Sequence, residues 1–278
     1  MKISEAFDLY IKNIECKGQH YSAVYRANYI KVRLIAEYRN KSISRLSVDD
    51  IQKWLYKMRA DHSINTVRRF GIVIRAVLRS CERFGIKCVN YELIPLPKPE
   101  KNTRAFLTSE EVTKMIENAC NLRSKFVISL LYSSGARLSE IIQLDRDSIK
   151  DRQFTVVGKG KKVRLCFIDR RTETYIKRYL KKRKDDDPAL IFSEITKKRV
   201  SAESVQLLVK NAAERARINK HVTPHVLRHS FATNFLKNNG NIRYLSTMLG
   251  HASLNTTAIY THVMDGDLKR QYRRFHTI

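Results

Sequence analysis

The 278-residue chain is short of acidic side chains, proline and cysteine, and it has no long apolar run. Each shortage rules something out. The 27 Asp and Glu face 54 Lys and Arg, a formal net charge of +27. A folded chain tolerates that self-repulsion best when a polyanion neutralises it, and nucleic acid is the usual one. The excess is not a basic tail. Residues 1–100 hold 19 basic and 10 acidic side chains, net +9, which leaves +18 for the remainder. A peripheral membrane protein is disfavoured, because its charge would gather on one amphipathic anchor helix. The five cysteines, Cys16, Cys81, Cys88, Cys120 and Cys166, are odd in number and scattered. That excludes a disulfide framework or a cysteine-rich zinc site and leaves ordinary buried thiols. No stretch reaches the ~20 apolar residues of a membrane span. The opening MKISEAFDLYIKNIE lacks the charged-then-apolar layout of a secretion signal, so a cytoplasmic protein is expected.

Proline is scarce until it clusters: three of the five stand at 95, 97 and 99, in IPLPKPEKNTR. Proline lacks the N–H a helix needs and pushes its neighbour toward extended geometry. Residues 94–104 are therefore expected to be an extended linker between a domain at 1–93 and a domain at 105–278. The first block patterns as four helices, with Ser47 capping one of them and Gly85 closing the last, and helices of that size make a small bundle. Basic residues recur on the polar faces, and Arg68, Arg69 and Arg75 are candidates for DNA contact.

The second block opens with a cap at Thr108 or Ser109 and an acidic first turn. SKFVISLLYSSGARLSEIIQL starts as a buried apolar helix, breaks at Gly135 and restarts near Leu138. QFTVVGKGKKVRLCFID is of another kind. Alternating β-branched residues flank a basic turn bracketed by glycine, the mark of a hairpin, and Lys161 and Lys162 in it are further DNA-contact candidates. Helical stretches follow at 172–184, 204–218, 223–237, 242–249 and 254–264. The expected class is mainly α, with a small antiparallel sheet in the second domain (α+β) and a helical bundle in the first. No zinc pattern, glycine-rich phosphate loop or internal repeat is present, so neither metal nor other cofactor is expected.

Several side chains in the second block invite chemistry, and each has a plainer reading alone. Arg137, in GARLSE, has Glu140 one turn on and reads as a surface ion pair. Lys159, in GKGKK, reads as a lysine touching a phosphate or nothing. HVLRH sets His225 and Arg228 on one helical face. His225 and His229 have i, i+4 spacing but neither an intervening glutamate nor a third ligand, which argues against zinc. LGHASLNTTAIY carries His251 after a glycine-terminated helix and Tyr260 on the next, yet Tyr260 is one of 13 tyrosines. Jointly the reading changes. Arginine grips two phosphate oxygens in a planar fork and stabilises charge on a pentacoordinate transition state. Histidine moves a proton near neutral pH, and lysine can protonate a departing sugar oxygen. The set lacks only a nucleophile, and a tyrosine hydroxyl held among cations can serve.

GARLSE, GKGKK, HVLRHSFAT and LGHASLNTTAIYTHV, in that order, resemble the tyrosine recombinase (integrase) family, whose cleavage chemistry is shared with type IB topoisomerases. The likeness spans essentially the whole chain. It implies that Arg137 and Arg228 hold the scissile phosphate, Lys159 is general acid toward the 5′-oxygen, His225 accepts or relays a proton and His251 hydrogen-bonds the phosphate. It further implies that Tyr260 attacks to form a 3′-phosphotyrosyl link, with Glu140 supporting Arg137. The layout of two domains without a further N-terminal module, and the basic ending THVMDGDLKRQYRRFHTI, are similar to the Xer type. Small mobile-element integrases share that layout. The implied partners are double-stranded DNA and, through the C-terminal helix, further copies of the chain in a tetramer on synapsed DNA. A second recombinase or an accessory protein is also possible, and the implied location is nucleoid-associated. In the tail, Leu268, Tyr272 and Phe275 form an apolar stripe suited to docking on a neighbour or folding back on its own domain. Two alternatives stay open here: DNA relaxation of the topoisomerase type, and a non-catalytic DNA-binding protein that kept the fold.

Overall fold

The computed structural model describes residues 1–18, 21–100, 105–158 and 163–250. They belong to two compact units, Met1–Asn102 and Thr103–Ile278. Each has a core of its own.

The first unit contains helices α1 (Ile3–Cys16), α2 (Tyr21–Tyr38), α3 (Val48–Lys57) and α4 (Ile64–Arg83). Their starts follow from local chemistry. Ser47 caps α3 by accepting from the Asp50 amide, and Asp50 answers with its carboxylate on the Ser47 amide. Ser63 caps α4 by accepting from the Thr66 amide, without a reciprocal bond. Each such cap contributes about 1 kcal/mol. The helices close over Phe7, Ile30, Leu34, Trp54 and Leu78, all essentially removed from solvent. At ~1.5–3 kcal/mol per buried large side chain, this packing and not helix propensity holds the bundle together.

The expected linker begins later than its prolines suggest. Ile94 is fully buried, and Arg75 donates to the carbonyls of Ile94 (2.9 Å) and Glu92 (3.2 Å). Arg68 donates to the Pro97 carbonyl at 2.7 Å. Gly71 on α4 leaves room for Leu96; a Cβ there would sit 2.5 Å from the leucine methyl. Residues 92–97 are therefore a strap docked on α4, in which a 3-10 turn at Tyr91–Leu93 leads into an extended stretch.

The second unit contains α5 (Ser109–Glu117), α6 (Leu122–Ser134), α7 (Leu138–Ile141), α8 (Arg170–Lys182), α9 (Ala202–Arg215), α10 (Pro224–Lys237) and α11 (Ile242–Leu249). Thr108, of the two candidates, is the cap of α5, in a reciprocal box with Glu111. α6 is buried nearly all round, as an apolar helix without a polar face must be. It packs against α8 and α10, with the Phe126 and Tyr179 rings 4.5 Å apart. α10 is also largely enclosed, although it carries polar residues. Its Ser230 hydroxyl receives the Leu107 amide at 2.8 Å, and its Asn234 amide reaches the Leu107 carbonyl at 3.0 Å.

The expected hairpin is present as β1 (Gln153–Val157) and β2 (Val163–Phe167), antiparallel, with Phe154 opposite Cys166 and Val156 opposite Arg164. Alternate residues point into the core. A second pair, β3 (Phe192–Ser193) and β4 (Lys198–Arg199), goes beyond the single sheet expected; at two residues a strand, it has no periodicity to read. Among the described residues, no helix is long and apolar enough to cross a membrane.

Candidate active site

Gly135 ends α6 in the left-handed conformation, φ +58°, and a Cβ there would run into the Phe231 ring of α10. The turn it makes sends the chain through buried Ala136 to Arg137, the residue that caps α7. Thr223 then caps α10, with Pro224 in its first turn, and this presents His225 and Arg228 one turn apart. These elements meet around one cleft of about 680 Å³. Arg137, His225 and Arg228 line it together with Glu203, Gln206, Leu207 and Lys210 of α9. Arg137, 91 residues before Arg228 in the chain, shares a single concave surface with it.

The two arginines are held differently. Arg228 is 5% exposed, and its guanidinium donates to the Gly135 carbonyl at 2.5 Å and the Leu249 carbonyl at 2.7 Å. One end of its fork is thereby locked to the α6 turn and the other to the end of α11. Arg137 has a side chain 40% exposed toward the cleft. Its backbone amide donates to Glu140 Oε2 at 2.7 Å and its Nη1 to Glu140 Oε1 at 3.0 Å. Glu140 thus contacts both the backbone and the side chain of Arg137, but Arg137 is not its main partner.

That partner is Arg164, which sequence reasoning missed. Its Nη1 and Nη2 donate to Glu140 Oε1 (2.8 Å) and Oε2 (2.5 Å), and its Nε donates to the Met248 carbonyl at 2.9 Å. Both side chains of the pair are 7% exposed. Burial pushes the Glu140 carboxyl up, but hydrogen bonds from Arg164 and Arg137 outweigh it and hold the group below its ordinary value. Burial likewise works against the Arg164 charge, and the bond to Glu140 more than restores it. One signal was legible: in VRLCF the alternation puts Arg164 on the same inward face as Cys166, and a charge on a core face needs a buried partner.

The other expected residues divide into two groups. Arg69 is exposed on α4, whereas Arg68 and Arg75 spend guanidinium donors on the strap carbonyls. Lys159, Lys161, Lys162, His251 and Tyr260, with the helix expected at 254–264 and the tail helix, lie outside the described residues. α11 ends at Gly250, φ +63°, immediately before His251.

The domain that carries this cleft has relatives among known proteins. Residues 105–266 match the model of the phage integrase family. The chain belongs to that family. The tyrosine recombinase XerA of Pyrococcus horikoshii is 38% identical over 225 residues, 79% of this chain and 77% of that protein. XerA of Pyrococcus furiosus is 33% identical over 278 residues, 98% of this chain and 94% of the relative. The Tn1549 transposon integrase in complex with transposon right-end DNA shares the fold, at 18% identity and a TM-score of 0.82 over 99% of both chains. As a tyrosine recombinase of this family the protein is a site-specific DNA recombinase. The topoisomerase-like and non-catalytic alternatives are not favoured.

Proposed function

We propose that this recombinase holds a scissile phosphate in the cleft between Arg137 and Arg228 and cleaves it with Tyr260. The observation that carries the reading is the convergence of Arg137, His225 and Arg228 on one concave surface. The Tyr260 oxygen attacks phosphorus as its proton passes to a neighbouring base, for which His225 is suited. The bond to the 5′-oxygen breaks, and that oxygen leaves with a proton from Lys159. His251 and the two arginines bind the non-bridging oxygens, where charge builds. The product is a 3′-phosphotyrosyl ester that conserves the phosphodiester energy, so rejoining needs no ATP. Attack by the 5′-hydroxyl of a partner strand exchanges strands.

Double-stranded DNA is the substrate this chemistry demands, and the +27 charge suits it. Arg69 on the first unit, with Lys161 and Lys162 on the hairpin, would contact backbone phosphates, as would any donors Arg68 and Arg75 have to spare. Exchange needs several active sites, so we assign the protein a tetramer on synapsed DNA. The tail helix bearing Leu268, Tyr272 and Phe275 would dock on a neighbouring copy. Identities of 33–38% to Xer proteins favour the Xer type, acting on DNA of the nucleoid.

A nicked suicide substrate tests the reading. In EDTA the wild type is expected to become covalently joined to the DNA, and Tyr260→Phe to bind the same DNA without joining. Adduct formation by Tyr260→Phe would mean that another residue is the nucleophile. Truncation after residue 266 is expected to spare DNA binding and abolish strand exchange; unchanged exchange would refute docking on a neighbour.

A further inference from the structure

We propose that Arg164 is a positioning residue for DNA cleavage: it ties the Arg137 clamp to the end of α11, from which the segment carrying His251 and Tyr260 departs. The inference rests on the assignment of Arg137 to the scissile phosphate.

Three contacts made by one side chain carry it. The first is the bidentate grip on Glu140, whose two oxygens are shared: Oε1 accepts from Arg164 and the Arg137 side chain, and Oε2 from Arg164 and the Arg137 amide. Glu140 thus fixes Arg137 only as firmly as Arg164 fixes Glu140. The second is the bond from Nε to the Met248 carbonyl. The last carbonyls of a helix have no partner within it, and here Met248 is served by Arg164 and Leu249 by Arg228. The third is steric. Gly250 turns the chain with positive φ directly over the Arg164 stem, and a Cβ at that position would lie 2.8 Å from Arg164 Cδ. Arg164 therefore touches the α7 start through Glu140, the last turn of α11 and the residue that leads into His251. It does not line the cleft.

Stability alone is a poor account of such a residue. A buried ion pair is a weak way to stabilise a fold, since apolar side chains of the same volume often do as well. What the pair supplies is geometry. The planar fork of arginine satisfies a carboxylate and a carbonyl at once, and a lysine ammonium would have to reach both from a single nitrogen. Loss of the strut lets Arg137 drift and releases the α11 end. A misplacement of about 1 Å in a phosphate clamp costs ~10²-fold in rate.

Single-turnover cleavage of a suicide substrate by the full chain tests this, with DNA affinity and thermal melting measured beside it. Arg164→Met is expected to cleave ~10²-fold more slowly while binding DNA within about threefold of wild type. Arg164→Lys should fall between the two, and it carries the comparison if the methionine variant does not fold. The deciding arm is a double-mutant cycle with Arg137→Lys. If Arg164 acts through Arg137, the double variant is scarcely slower than the slower single variant. Multiplicative losses would overturn the strut, as would a cleavage defect matched by an equal loss of DNA binding. Wild-type cleavage by Arg137→Lys and Arg137→Ala alike would instead show that the phosphate assignment itself is wrong.

Discussion

Arg228 donates to the carbonyl of Leu249, 2.7 Å away, and through that bond α10 holds the last residue of α11. The same guanidinium holds Gly135. A residue assigned to a phosphate thus also joins the two turns that frame its site. Arg228→Lys keeps the charge but cannot span both carbonyls, so it is expected to lose ~10²-fold or more in cleavage and to lower the melting temperature as well. Arg137→Lys, whose side chain opens to the cleft, should lose rate with a much smaller change in melting. Single-turnover adduct formation and calorimetry on the two variants check the contrast.

Gly135→Ala is expected to destabilise the catalytic unit by about 1–3 kcal/mol, because the residue needs positive φ. A methyl there also meets the Phe231 ring. Adding Phe231→Leu should recover the steric part and leave the backbone part. Urea unfolding of the single and double variants separates them.

Glu140 makes stability depend on pH in a definite direction. Its carboxyl is held below the ordinary value of 4.5. The stabilisation is therefore fully present above pH 4.5 and is lost as pH falls through the depressed value in the folded protein. Glu140→Gln removes that dependence and strands the buried Arg164 charge, at about 3–5 kcal/mol. Unfolding free energies between pH 3 and pH 7 should show the wild type losing its advantage over the variant on the acid side.

Much of this architecture was open to sequence reading because its causes are local. The caps at Ser47 and at Thr108, one of two candidates there, announce two helices, and the hairpin at 153–167 announces itself by alternation. Arg137, His225 and Arg228 were legible as types at meaningful spacing. What stayed hidden depends on contacts far apart in the chain. Arg164 reaches 24 residues back to Glu140 and 84 forward to Met248, and no local pattern encodes either. Net charge misled in one respect. Arg75, Arg146, Arg164, Arg199 and Arg228 all spend donors on backbone carbonyls, so part of the basic excess is internal fastening and not a DNA surface.

That distinction predicts different salt behaviour on α4. Arg69→Gln is expected to lower the slope of log affinity against log salt by about 0.9, the amount for one phosphate contact. It should leave the first unit's stability alone. Arg75→Gln frees the strap carbonyls of Glu92 and Ile94 and should lower stability first. Filter binding across a salt series, with melting curves, tells the two apart.

The most direct measurement replaces one non-bridging oxygen of the scissile phosphate by methyl, which removes the charge that Arg137 and Arg228 are held to offset. Arg137→Ala should be far less impaired, relative to wild type, on this neutral methylphosphonate than on the natural phosphodiester. An equal deficit on both substrates would contradict the claim that Arg137 grips the phosphate being cut.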